Sequence, residues 1–216
     1  DVLVFLPGAG EIRRVQERLA DLPARVLPLY GELAAAEQDA ALEPDPGGAR
    51  RVILATNVAE TSLTIPGIRV VVDSGLMRRS VFDPVTGMSR LETQRISRAS
   101  ADQRQGRAGR VAAGQCYRLW SEGAQRSLAA FTAPEIADAD LAPLALELAG
   151  WGAADAAALR WLDAPPAATL AGARDLLRRL GALDAAGRMT PHGQELARIP
   201  AHPRLAHLLV EARRRG

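Results

Sequence analysis

The sequence predicts an α/β fold, a parallel sheet covered by helices on both faces, followed by a purely helical part. Three observations carry this expectation. Over the first 120 residues, short apolar runs of strand length alternate with stretches whose apolar residues recur at helical spacing. The runs are continuous and rich in β-branched residues, as strands buried in parallel sheets are. After Trp120 the strand-like runs stop, and helical patterns joined by proline and glycine take over.

Residues 2–6 are the first strand, and Pro7-Gly8-Ala9-Gly10 turns the chain into a helix marked by Ile12, Val15 and Leu19. Residues 26–30 follow as a strand, 34–42 as a helix and 44–48 as a loop by composition. Residues 51–55 and 69–73 are apolar strands. Residues 78–82 and 88–93 flank Asp83-Pro84-Val85-Thr86-Gly87 and predict an exposed hairpin with a five-residue turn. Cys116 sits in an apolar strand-like run and is expected in the core. Residues 141–148 form a helix ending at Gly150-Trp151-Gly152. Pro165-Pro166 opens another, with Leu170, Ala173, Leu176, Leu177 and Leu180 on one face and Gly181 at its end. Thr190 and Pro191 are a helix start, with helices over 191–199 and 203–213.

Composition narrows the class. At 216 residues the chain holds one large domain or two small ones, and its 48% hydrophobic and 24% charged residues are ordinary for a globular protein. A single cysteine excludes an internal disulfide and fits a reducing cytoplasm. No apolar run approaches the ~18 residues of a membrane span, and no signal-peptide pattern opens the chain, so no membrane partner is expected. The chain opens directly in a strand, which implies an excised fragment. All 27 basic residues are arginine. The net charge of +2 is uneven: residues 78–110 hold 8 arginines against 3 acids, a local field that draws phosphates.

Within that segment stands Gln103-Arg104-Gln105-Gly106-Arg107-Ala108-Gly109-Arg110. On a helix, Arg104, Arg107 and Arg110 project from one side of about two turns. Like charges so placed repel unless an anion lies opposite, and the guanidinium fork suits phosphate. Gln103 also closes Ser100-Ala101-Asp102-Gln103, which matches a capping box and gives it a second, structural role. Upstream, Ala55-Thr56-Asn57-Val58-Ala59-Glu60-Thr61-Ser62-Leu63-Thr64-Ile65 places short polar groups after a strand, where open α/β sheets bind ligands. A P-loop requires a lysine, and the chain has none; it also lacks an Asp-Glu pair. Alone, it should not hydrolyse ATP.

The arginine string resembles motif VI of superfamily 2 helicases in its DEAH-box form, and residues 55–65 resemble motif V. Leu3-Val4-Phe5-Leu6-Pro7-Gly8 is similar to motif IV and Leu29-Tyr30-Gly31-Glu32-Leu33 to motif IVa. All four occur in the family's order, and within the DEAH-box branch the chain resembles the bacterial HrpB-type helicases. The resemblance implies a second RecA-like domain over residues 1–122. It further implies a winged-helix-like domain over 123–189, with 184–187 as its wing, and the truncated start of a ratchet-like helical domain over 190–216. It implies an ATP-dependent helicase acting on single-stranded RNA or DNA, with ATP and Mg²⁺ held mainly by a preceding RecA-like domain. By the same resemblance Arg107 and Arg110 would be arginine fingers on the nucleotide phosphates. Gln103 would reach the γ-phosphate and attacking water, and Arg104 would make a structural pair.

On the nucleotide side the resemblance adds Ser62 and Thr64; on the nucleic-acid side it adds Gly31, Thr56 and Asn57. The hairpin would offer Arg78, Arg79 and Arg90 to nucleic acid, with Leu91 or Phe82 as a wedge. Two departures weaken base and ribose recognition: Leu42 stands where relatives stack an aromatic on adenine, and Pro66 where many carry an acid. His192, His202 and His207 show no metal-ligand companions and are expected on helix surfaces or in packing. A rival reading is a non-catalytic module that binds nucleic acid or protein on a helicase fold.

Overall fold

The apolar runs of the first half pair as a five-stranded sheet in the computed structural model, which describes residues 1–61, 63–84, 86–110, 112–153 and 155–216. In chain order the elements are β1 (Val2–Phe5), α1 (Ala9–Arg18), β2 (Arg25–Leu29), α2 (Ala35–Leu42), β3 (Arg51–Ala55) and β4 (Val70–Asp73). A hairpin of β5 (Leu76–Asp83) and β6 (Met88–Arg95) follows, then α3 (Arg98–Gln105), β7 (Gln115–Arg118) and α4 (Glu122–Ser127). The sheet order is β2-β3-β1-β4-β7 and every pairing is parallel. Leu3, Phe5, Ile53, Ala55 and Val71 have no exposed surface, as continuous β-branched and apolar runs require. Cys116 is half-buried against this core, and burial pushes its thiol pKa up.

Two compact units divide the chain: residues 1–79 with 91–132, and residues 80–90 with 133–216. The first runs past residue 122 because residues 129–132 return to the start of α3. There Arg98 and Ala99 donate their backbone N–H groups to Ala129 (2.8 Å) and Ala130 (3.1 Å). Arg51, buried at the first residue of β3, closes the sheet's amino end. Its guanidinium meets the Asp1 carboxylate (2.9 Å from Nε) and the carbonyls of Ala41, Glu43 and Pro66. Gly75, between β4 and β5, has φ +73°, and a Cβ there would lie 2.7 Å from the Trp120 ring; only glycine meets both demands.

The hairpin is longer than its sequence pattern, closed by the Gly87 N–H on the Asp83 carbonyl (2.8 Å). Its outer residues, 80–90, group with the helical unit, and the Phe82 N–H donates to the Asp138 carbonyl (2.9 Å). The expected free projection is therefore docked at Phe82. In the helical unit, α5 (Ala142–Gly150), α6 (Ala167–Arg179), α7 (Pro191–Ala197) and α8 (Pro203–Arg215) share one core. Leu148, Leu177, Leu196, Ala206 and Val210 all contribute to it, so residues on both sides of 189 pack together. The turn at 184–187 is enclosed by a single antiparallel bridge, Leu183 to Met189. Thr190 caps α7, its hydroxyl accepting from the Gly193 N–H (3.0 Å). Among the described residues no helix is long and apolar enough to cross a membrane.

Candidate functional site

α3 begins three residues earlier than the capping-box pattern indicates. Ser97 is its N-cap, accepting from the Ser100 N–H at 3.1 Å, so Ser100 and Gln103 lie inside the helix and the expected box does not form. Gln103 is exposed on α3. The helix ends at Gln105, with Gly106 as its C-cap. The N–H groups of Arg107 and Ala108 then turn back onto the carbonyls of Arg104 (3.1 Å) and Gln105 (3.0 Å). Arg104, Arg107 and Arg110 therefore do not share a helix face. Two glycines lower the helix propensity of this stretch, and a spacing of three suits successive turns as well as a helix.

Each arginine binds the loop after β3 through different acceptor atoms. Arg104 is fully buried, 3.0 Å from the Glu60 carboxylate and 2.9 Å from that of Asp73. It also donates to the Leu76 carbonyl at 3.2 Å and lies 4.7 Å over the Phe5 ring. Arg107, 9% exposed, donates to the main-chain carbonyls of Leu63 and Glu60. Burial, and next the charge of Arg110, pull its pKa below the usual guanidinium value, with Glu60 opposing. Arg110 is exposed and donates to the Thr64 hydroxyl at 3.0 Å. Acceptors on one loop thus offset the repulsion that the arginine spacing implies.

That loop leaves the sheet at the carboxyl end of β3, where the Thr56 N–H holds the Leu29 carbonyl (3.1 Å) and Asn57–Ala59 makes a 3₁₀ turn. Thr56 is half-buried; Asn57 and Thr64 face solvent. Ser62 lies outside the described residues. Gly31 follows β2 in the open, where a Cβ would meet nothing within 4 Å, leaving room for a ligand. Arg78 is drawn to the start of α1. It pairs with Glu11 at 3.3 Å, and its guanidinium lies so close to Gly8 that a Cβ there would come within 2.9 Å. Arg79 is half-buried, Arg90 is exposed and Leu91 is 68% exposed, whereas Phe82 is half-buried. The structure thus joins Arg107 and Arg110 to the motif V loop, whereas Arg78 is paired with Glu11 on α1.

Sequence reasoning missed Glu60 and Asp73, the two acids that hold Arg104. Asp73 carried a signal: it is the one charged residue of β4 and is completely buried.

Residues 1–112 match the profile of the family described as the helicase conserved C-terminal domain. The chain belongs to this family. Among its relatives, the chain is 49% identical to the ATP-dependent RNA helicase HrpB of Escherichia coli K12 over 215 residues. That alignment covers 98% of this chain and 26% of HrpB. The ATP-dependent RNA helicase HrpA of the same organism is 42% identical over 224 residues, 100% of this chain and 17% of HrpA. A crystal structure of the Escherichia coli DEAH/RHA helicase HrpB matches with a TM-score of 0.91 at 48% identity, over 97% of this chain and 27% of that one. The chain therefore spans about a quarter of the length of HrpB and less of HrpA. The helicase family that motifs IV to VI pointed to is the family found.

Proposed function

We propose that this chain is the second RecA-like domain, a winged-helix-like domain and the start of a ratchet-like domain of an ATP-dependent RNA helicase of the cytoplasm. The observation that supports this best is the joining of Arg107 and Arg110 to the loop at the carboxyl end of β3, the usual ligand edge of an open α/β sheet. Arg110, exposed and bound to one hydroxyl, offsets negative charge that builds on the phosphoryl oxygens as the γ-phosphate is transferred to water. Arg107 acts as the second finger, exchanging the carbonyls of Glu60 and Leu63 for phosphate oxygens. Gln103 orients the attacking water, and Ser62 and Thr64 face the nucleotide.

Thr56, Asn57 and Gly31 contact the RNA backbone on the other side of the same edge, with Arg78, Arg79 and Arg90 drawing an entering duplex. Leu91 is the better wedge, since Phe82 is half-buried. Glu60 and Asp73 each give one carboxylate oxygen to Arg104 and act in positioning it. ATP and Mg²⁺ are held mainly by a preceding RecA-like domain, where the ion's charge adds to that of the arginines. The choice of RNA over DNA rests on HrpB and HrpA being RNA helicases. In the full-length protein, Arg110→Ala should lower RNA-stimulated phosphate release by ~10²-fold or more, with the melting temperature unchanged. Unaltered turnover would leave a binding module built on the helicase fold.

A further inference from the structure

The last two helices bring together a cluster that the helicase reading does not use. α7 carries His192; α8 carries His207 and, one turn later, Glu211. Nε2 of His192 lies 2.9 Å from Nδ1 of His207, with the rings edge to face at a centroid distance of 5.1 Å. One nitrogen from each ring and one carboxylate oxygen of Glu211 all lie within 4.8 Å of one another. Among the described residues this is the one such group of three. Around a tetrahedral zinc ion with bonds of ~2.0–2.1 Å, ligand atoms stand ~3.3 Å apart, so small side-chain rotations close the trio on an ion. All three residues are half-buried, which favours ligation over full hydration. As a bare hydrogen-bonded pair the histidines are poorly satisfied, because Nδ1 of His192 is buried without a partner.

We propose that His192, His207 and Glu211 bind a zinc ion that staples α7 to α8, with water completing the coordination. Two features limit its strength. The Arg214 guanidinium donates to one oxygen of Glu211 at 3.0 Å, and that of Arg215 stands 3.9 Å from the other. No carboxylate or carbonyl orients the second nitrogen of His192, the support that strong zinc histidines usually have. Micromolar affinity is therefore expected, not the tighter binding of closed four-ligand sites.

The test uses the untagged 216-residue chain, stripped of metal and titrated with Zn²⁺ against a chromophoric chelator near neutral pH. One equivalent should bind at micromolar zinc and raise the melting temperature, since an ion bound only to the folded state stabilises it. His207→Ala, and Glu211→Gln for a variant that keeps both size and helix, should each weaken binding about tenfold or more and abolish the melting shift. Cys116→Ser should bind as the parent does. If the parent shows no saturable binding or no melting shift, or if Glu211→Gln keeps parental affinity, the histidines merely share a hydrogen bond and the proposal fails.

Discussion

Arg104 and Arg107 are both buried, yet they are held in opposite ways. Arg104 faces two carboxylates, Glu60 and Asp73, whereas Arg107, among the described residues, donates to the main-chain oxygens of Glu60 and Leu63. Replacing Arg104 with methionine leaves Asp73, which has no exposed surface, as an uncompensated buried charge. Breaking such a pair on one side costs roughly 3–5 kcal/mol. Urea denaturation of Arg104→Met should show a loss of that size, while Arg110→Ala, exposed and held by one hydroxyl, should stay within about 0.5 kcal/mol of the parent. Equal losses in the two variants would mean that the pairing of Arg104 with Asp73 and Glu60 does not stabilise the fold.

Among the elements, the 184–187 turn gives a test through acid. Asp184 accepts the Arg188 N–H at 2.8 Å and its guanidinium at 2.9 Å, and these bonds, the backbone one foremost, hold its carboxyl below the usual carboxylate value. A carboxyl whose pKa is lower folded than unfolded stabilises the fold above the unfolded value and loses that contribution as pH falls through the folded one. Melting temperature should therefore fall on acidification below about pH 4, and Asp184→Asn should flatten part of that slope. An unchanged slope would exclude the turn. The strands at 2–6, 26–30, 51–55 and 69–73 were legible because buried parallel strands announce themselves as apolar runs. The end of α3 was not: Arg104, Arg107 and Arg110 are spaced three apart, and the carbonyls of Glu60 and Leu63 decide which conformation holds. Ser97 and Ser100 are equally good caps by type, so choosing between them required the fold. His192 and His207 are 15 residues apart in sequence, and only the packing of α7 on α8 makes them neighbours.

At the scale of the whole molecule, each of the two units has its own core: Leu3, Ile53 and Val71 in the sheet, Leu148, Leu177 and Leu196 among the helices. Phosphate chemistry is represented on one side only. In the proposed function Arg107 and Arg110 offset charge on a transferring phosphoryl group, but the 27 basic residues include no lysine for a P-loop. The 216-residue chain should release no phosphate from ATP above background, with or without RNA, in a coupled phosphate assay. Release that Arg110→Ala abolished would mean that this domain holds a complete hydrolytic site.

Every amino acid brings the same carbonyl to the backbone. The grip of Arg107 on residues 60 and 63 therefore has no acceptor side chain to lose, and no single codon change can delete its oxygens. Inheritance can break this latch only at Arg107 itself or by altering the course of the loop. Second-site suppressors of a weakened Arg107 allele should accordingly cluster where they bend the chain between 59 and 65, through gained or lost prolines, insertions or deletions.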